Sequence, residues 1–281
     1  MIFSSFPKYS ARNAGPILDA FVQGMNRHGV TVRDDSLDCD ATVIWSQLWA
    51  GRMRGNKAVY DQYRARKRPV VIIDAGCIQR GHTWRISTDR HGMIAGSGHD
   101  AQRRKQLGMV VDSWRCQRGS DVLIALQRTD SNQWQGMPDV DTWLGTVIKN
   151  LKQHTDRPIR IRPHPRNRIA YSATDVVIEQ PQRLLGTYDS YDFSACLDQA
   201  WCVVNWNSSP GIVAALRGVP VFVGGSSLAA PVANQDFSRI EDPMMPDRTQ
   251  WANDLAWTEW TVAEMQRGEP QSYLLDLIQD Q

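Results

Sequence analysis

Ala200-Trp201-Cys202-Val203-Val204-Asn205-Trp206-Asn207-Ser208-Ser209-Pro210-Gly211-Ile212-Val213-Ala214-Ala215-Leu216-Arg217-Gly218-Val219-Pro220-Val221-Phe222-Val223 reads as strand, polar loop, helix, stop and strand. The short β-branched run at 202–204 suits a strand buried on both faces. Pro210 suits a first helical turn, because the donor it lacks would be orphaned there. Gly218 ends the helix. A strand–helix–strand unit of this length predicts a parallel sheet in an α/β fold.

Similar units extend upstream. Strands are expected at 121–127, 158–162 and 176–178, with helices at 139–153 and 190–199. The first half repeats the alternation more faintly. A helix at 15–28 follows a short N-terminal strand, then come a strand at 41–45, a helix at 56–67 and a strand at 69–74. Residues 84–87 read as extended, 92–98 as a loop and 101–107 as a short helix. Two terminal helices are expected at 251–266 and 271–278. The expected architecture is α/β, with two Rossmann-like domains facing a cleft, at 1–118 and 119–245. A helical tail at 246–281 is expected to pack across both.

The 281 residues are 42% hydrophobic and 22% charged, with a net charge of +2, so no global basic field demands nucleic acid. Basic clusters at 64–68, 103–105 and 157–168 remain as local features. No run approaches the roughly 20 apolar residues of a membrane span, and the N-terminus is too short for a secretory core. The five cysteines, Cys39, Cys77, Cys116, Cys196 and Cys202, show no C-x-x-C spacing. That argues against a disulfide framework or zinc site and makes the cytoplasm the default compartment. The 11 tryptophans are expected mainly in packing, with a few near a cleft available to stack on a sugar or base.

In open α/β sheets ligands bind beyond the carboxyl ends of the strands. Arg162-Pro163-His164-Pro165-Arg166 falls there, the two prolines holding His164 in extended backbone. Its imidazole can donate to a phosphate oxygen, with Arg162 or Arg166 adding charge-assisted bonds. The alternative is a basic surface loop with a structural histidine. Asn207, Ser208 and Ser209 precede a helix whose N–H groups favour an anion, and Gly211 permits close approach. The alternative there is an ordinary helix cap.

His-Pro after a strand, then Ser-Ser before a helix running into Ala-Leu-x-Gly-x-Pro-Val, resembles the nucleotide-binding half of GT-B-like glycosyltransferases. The resemblance is to capsule polysaccharide Kdo transferases and, more distantly, to bacterial sialyltransferases, and it covers roughly residues 120–225. It implies a nucleotide-sugar donor. His164 would contact the donor phosphate, and Ser208 and Ser209 would hold phosphate or ribose, beside Asn207, Arg162 and Gly211. Gln127 and Asp130, in the turn after 121–127, would line the cleft. Where the capsule group carries an acidic pair, this chain has Thr129-Asp130.

Such a transfer needs a base for the acceptor hydroxyl and positive groups for the leaving phosphate. His164, Arg162 and the helix N-terminus can supply the latter without a metal or other cofactor. Asp74, at the end of the 69–74 strand, is the expected base, with Asp89, His91 and His99 as alternatives. Arg12 and Asn13, after the first strand, are expected to bind acceptor or donor, with a plain turn as the alternative; Arg80, His82 and Trp84 are expected on the acceptor path, and His91 in the acceptor side or cleft. The acceptor is either a surface glycan or a hydroxymethyl-pyrimidine in DNA, as in phage base glycosylation. A non-catalytic nucleotide- or phosphate-binding module and a GT-B-shaped epimerase are the competing readings.

Overall fold

A computed structural model describes residues 1–115, 119–172, 174–187 and 189–279; Cys116 lies outside them. The chain divides into two compact units. Unit 1 holds Met1–Arg103, Asp130–Asn132 and Asn253–Gln281; unit 2 holds Arg104–Thr129 and Gln133–Ala252. Among the described residues no helix is long and apolar enough to cross a membrane.

Unit 1 begins with β1 (Ile2–Ser5), α1 (Gly15–Arg27), β2 (Thr31–Asp34), β3 (Ala41–Trp45), α2 (Asn56–Ala65), β4 (Val70–Ala75) and β5 (Thr83–Thr88), followed by α3 (Gln102–Gln106) at the unit boundary. β1 to β4 pair in parallel in the spatial order 2-1-3-4, a doubly wound arrangement whose order reverses between β1 and β3. β3 and the first part of β4 are fully buried, which is why their unbroken apolar runs read as strands. β5 then returns antiparallel to β4. Phe3, Phe21, Ile73 and Trp260 anchor the core on one face of the sheet; Ile44, Val59, Tyr63 and Ile72 form the core on the other.

Unit 2 contains β6 (Asp121–Ala125), α4 (Val140–Leu151), β7 (Ile159–Arg162), β8 (Val176–Ile178), α5 (Phe193–Cys196), β9 (Ala200–Asn205), α6 (Ser209–Leu216), β10 (Val221–Val223) and most of α7 (Thr249–Leu255). Its five strands are all parallel, in the order β10-β9-β6-β7-β8. Counted within the unit this is the Rossmann order, with its switch point between β6 and β9. Val122, Ile124, Leu144, Ile148, Val204 and Phe222 fill the core beneath it.

The C-terminal segment departs from the expected pair of helices. After α7, Glu259–Thr261 forms a strand, β11, before α8 (Val262–Arg267) and α9 (Glu269–Gln279). β11 pairs antiparallel with β5 and ends the six-stranded sheet of unit 1. Thr261 and Glu264 make a reciprocal capping box that starts α8 immediately after the strand. Residues 253–281 therefore belong to unit 1, where α8 and α9 pack on α1. The helix expected at 190–199 shortens to α5, four residues long.

Candidate functional site

The carboxyl edge of the unit 2 sheet gathers most of the anion-binding residues. Gln127, buried just beyond β6, accepts the Asn207 N–H through Oε1 at 3.0 Å. That bond spans the switch point between β6 and β9. Asn205, at the end of β9, donates Nδ2 to Ala125 O at 2.8 Å and to Ser208 Oγ at 2.9 Å, and accepts the Ser208 N–H at 2.9 Å. Ser208 is the N-cap residue of α6 by backbone, with φ −97° and ψ 174°, yet its hydroxyl caps nothing. Ser209 has neither hydroxyl nor N–H partner among the described residues. A Cβ on Gly211 would sit 3.1 Å from Val223 Cγ1 and 3.3 Å from Asn205 Oδ1, so this glycine lets α6 seat tightly on β9 and β10. Asn207 donates Nδ2 to Ser226 Oγ at 2.9 Å, and its buried Oδ1 has no partner among the described residues.

His164 stands at the end of β7 on the same edge, half-buried. The Arg166 N–H donates to its Nδ1 at 3.1 Å. An accepting Nδ1 puts the proton of the neutral ring on Nε2, which makes Nε2 the donor.

Arg162 is directed elsewhere. Its buried guanidinium pairs with Glu179 at 2.9 Å and with Asp192, and meets Cys196 Sγ at 2.8 Å. Arg160 joins the same network through Asp121 at 2.5 Å and Glu179. Arg162 is thus matched by carboxylates rather than turned toward an anion. Burial and the Glu179 carboxylate push the Cys196 thiol up to about 12, so it stays protonated and donates to Glu179 at 2.6 Å. Glu179, Asp192 and Cys196 lie within 4.8 Å of one another, a spacing that suits a metal ion, but two guanidinium groups already balance the two carboxylates. The Asp139-Val140-Asp141 tripeptide has the Asp-x-Asp spacing of many metal-nucleotide sites. Asp139 caps α4 through the Thr142 N–H, and Asp141 accepts the Ala170 and Tyr171 N–H groups.

In unit 1, Asp74 lies near the carboxyl end of β4. The Ser46 hydroxyl donates to its Oδ2 at 3.3 Å and the Ala75 N–H to its Oδ1 at 3.1 Å. Burial pushes its carboxyl above the usual carboxylate range, against the opposing pull of Arg85, these two hydrogen bonds and Arg80. Ser46 has φ +63°, a left-handed conformation that is rare for serine and stored at functional turns. Sequence reading missed this residue, because nothing local marks a serine for positive φ.

Arg12 and Asn13 are exposed between β1 and α1, on the same edge of the parallel strands as Asp74. Arg80 and His82 are exposed on the β4–β5 return, also at that edge. His91 is not. β5 runs antiparallel, so Thr88 lies opposite Val71 and carries His91 to the other edge. Asp89 accepts the Val70 N–H at 3.1 Å and pairs with Arg64, again at the start of β4. His99 stacks on Trp257 at 4.4 Å. Asp130, expected on the donor side, belongs to unit 1. Its carbonyl accepts the Trp49 N–H at 2.8 Å, and Ser131 and Asn132 continue the contact with Leu48 and Gln47.

The buried Glu259 is the other residue that sequence reading missed. Its carboxylate accepts the Cys77 N–H at 2.7 Å, the Ile78 N–H at 3.1 Å and the Thr83 hydroxyl at 2.7 Å, fixing the β4–β5 return. Gly76 permits this: a Cβ there would fall 2.2 Å from Glu259 Oε2.

No protein-family model matches the chain, and no curated protein matches it in sequence. Solved structures do match. The Thermosulfurimonas dismutans KpsC beta Kdo 2,4 transferase superimposes with a TM-score of 0.56 at 12% identity, over 95% of this chain and 98% of that one. The beta Kdo 2,7 transferase of KpsC from the same organism gives 0.56 at 13% identity, over 99% of each chain. The likeness is one of fold, and the fold is GT-B-like.

Proposed function

We propose that the chain is a glycosyltransferase that moves a sugar from a nucleotide-sugar to an acceptor hydroxyl. The observation that carries the reading is the Gln127–Asn207 bond across the β6/β9 switch point. It sets Ser208, Ser209 and the start of α6 beside that crevice, where α/β folds bind nucleotide phosphates. The fold shared with two Kdo transferases supports the reaction class and favours a glycan as acceptor.

In the proposed reaction Asp74 takes the proton of the acceptor hydroxyl, and the acceptor oxygen attacks the anomeric carbon. The bond from that carbon to the phosphate oxygen breaks, and the phosphate leaves with the electron pair. His164 Nε2–H, the Ser209 N–H and the serine hydroxyls stabilise the charge that gathers there. A raised Asp74 pKa brings a carboxylate closer to the range where a base works best. Arg12, Asn13, Arg80, His82 and Asp130, all in unit 1, are assigned to the acceptor side.

A thermal-shift screen of CMP, UDP, GDP and dTDP sugars tests the donor site. A ligand at a hundred times its dissociation constant stabilises by about 2.7 kcal/mol. Product analysis with and without a glycan acceptor then separates transfer from epimerisation. Asp74→Asn should abolish transfer and keep the thermal shift. Failure of every nucleotide-sugar to shift the melt would sink the reading, and binding without turnover would reduce it to a nucleotide-binding module. Sugar incorporation into hydroxymethylated DNA, in place of glycan, would move the acceptor to nucleic acid.

A further inference from the structure

The reaction above uses Asp74 but not the two charged groups beside it. β11 lies antiparallel on β5 with Glu259 opposite Arg85, and β5 lies on β4 with Arg85 opposite Asp74. Directly opposed residues share a face of the sheet. Three adjacent strands therefore carry carboxylate, guanidinium and carboxylate in one row. Glu259 is fully buried and held by three hydrogen bonds, and Arg85 Nη2 lies 3.7 Å from its Oε1. The guanidinium is also 3.5 Å from Cys77 Sγ, while its buried Nε has no acceptor among the described residues.

We propose that Arg85 and Glu259 are positioning residues for Asp74, with Glu259 anchoring the guanidinium in the row and the guanidinium holding Asp74 as an oriented carboxylate. The proposal rests on the base role given to Asp74. The groups that face Asp74 are Ser46 from the end of β3, the Ala75 N–H, Arg80 from the β4–β5 return, and Arg85. Those facing Arg85 are Cys77, Glu259 and Asp74. Burial pushes Asp74 up, and Arg85 is the largest influence pulling it down. Glu259 competes for that same cation. Removing either member should thus move Asp74 in opposite directions, a pattern that general damage to the fold would not produce.

The test uses the full chain. The Asp74 carboxyl is titrated by carbon-13 NMR, assigned by the signal lost in Asp74→Asn, and the pH–rate profile of transfer is recorded alongside. Arg85→Gln should raise the Asp74 midpoint and move the acid limb up by about one pH unit, a tenfold rate loss on that limb. Glu259→Gln should lower the midpoint, and Arg85→Lys should restore most of it. An unchanged midpoint in Arg85→Gln, or a shift in the same direction in both Gln variants, overturns the proposal. Should Glu259→Gln not fold, the Arg85→Gln and Arg85→Lys pair decides alone. If Asp74→Asn retains transfer, the base assignment fails, while the NMR midpoints still judge the row.

Discussion

In the proposed reaction Ser46 and His164 each act through one atom. The Ser46 hydroxyl donates to Asp74 and accepts the Leu48 N–H, at the cost of a left-handed backbone. Ser46→Gly should leave stability unchanged or raise it by up to about 1 kcal/mol, since glycine adopts this φ freely. Losing the donor should also raise the Asp74 pKa, so the acid limb of the rate profile shifts to higher pH; thermal melts and pH–rate profiles read the two effects separately. In the proposed reaction His164→Ala removes one charge-assisted hydrogen bond to phosphate. It should weaken donor binding or turnover by roughly 10- to 100-fold, equivalent to about 1.5–3 kcal/mol, with the melting temperature of the free protein unchanged. The place of His164 was legible because prolines on both sides mark an ordered loop after an apolar strand. The carboxylate pairing of Arg162 is not legible in the same way. Its partners, Glu179 and Asp192, stand 17 and 30 residues away, and no local pattern announces them.

At the scale of elements, the strands most readable in the sequence are those buried on both faces. Ala41–Trp45 carries an apolar run whose boundaries match the structure, and the run at 202–204 lies inside the strand Ala200–Asn205. β11 was not readable. Glu259, Trp260 and Thr261 fit a helical pattern, and what makes them extended is the edge of β5, far away in sequence. Propensity yields to a distant pairing partner in such cases. The β4–β5 return depends on the same strand. Gly76→Ala would drive a methyl group into Glu259 and the Thr83 carbonyl, and should destabilise unit 1 by about 1–3 kcal/mol in urea titrations. In unit 2 the comparable element junction is Asn205, which ties β9 to β6 and to the α6 entrance. Asn205→Ala leaves the Ser208 N–H without its partner and should cost about 1–3 kcal/mol while also weakening nucleotide-sugar binding.

At the scale of the whole molecule, each unit carries its own acid-sensitive ion pairs. In unit 1, burial pushes the Glu264 carboxyl up, but the ion pair with Arg103 at 2.5 Å and the bonds from Thr261 hold it below the usual range. In unit 2, burial likewise opposes and is outweighed at Glu179 by Cys196, Arg160 and Arg162, and at Asp192 by Arg162 and the Gln182 N–H. A carboxyl depressed in the folded state contributes stability that is present above its unfolded pKa and lost as pH falls through the folded value. Both units should therefore melt at lower temperature near about pH 4 than at pH 7. Arg103→Met leaves Glu264 without its cation in a largely buried place and should cost unit 1 about 3 kcal/mol at neutral pH, with a flatter dependence on acid. Calorimetry across that pH range checks both statements.

The position of β11 also governs the order in which the polypeptide can mature. Residues 259–261 complete the sheet of unit 1 and supply the carboxylate that holds residues 76–78, yet they leave the ribosome after all of unit 2. During synthesis the segment Met1–Arg103 waits with the edge of β5 bare, while Arg104–Ala252, apart from its excursion at 130–132, has its complete parallel sheet in hand. A chain ended after residue 252 and released should protect unit 2 from protease and leave unit 1 open to cleavage. The later-made half should then be the first to become native.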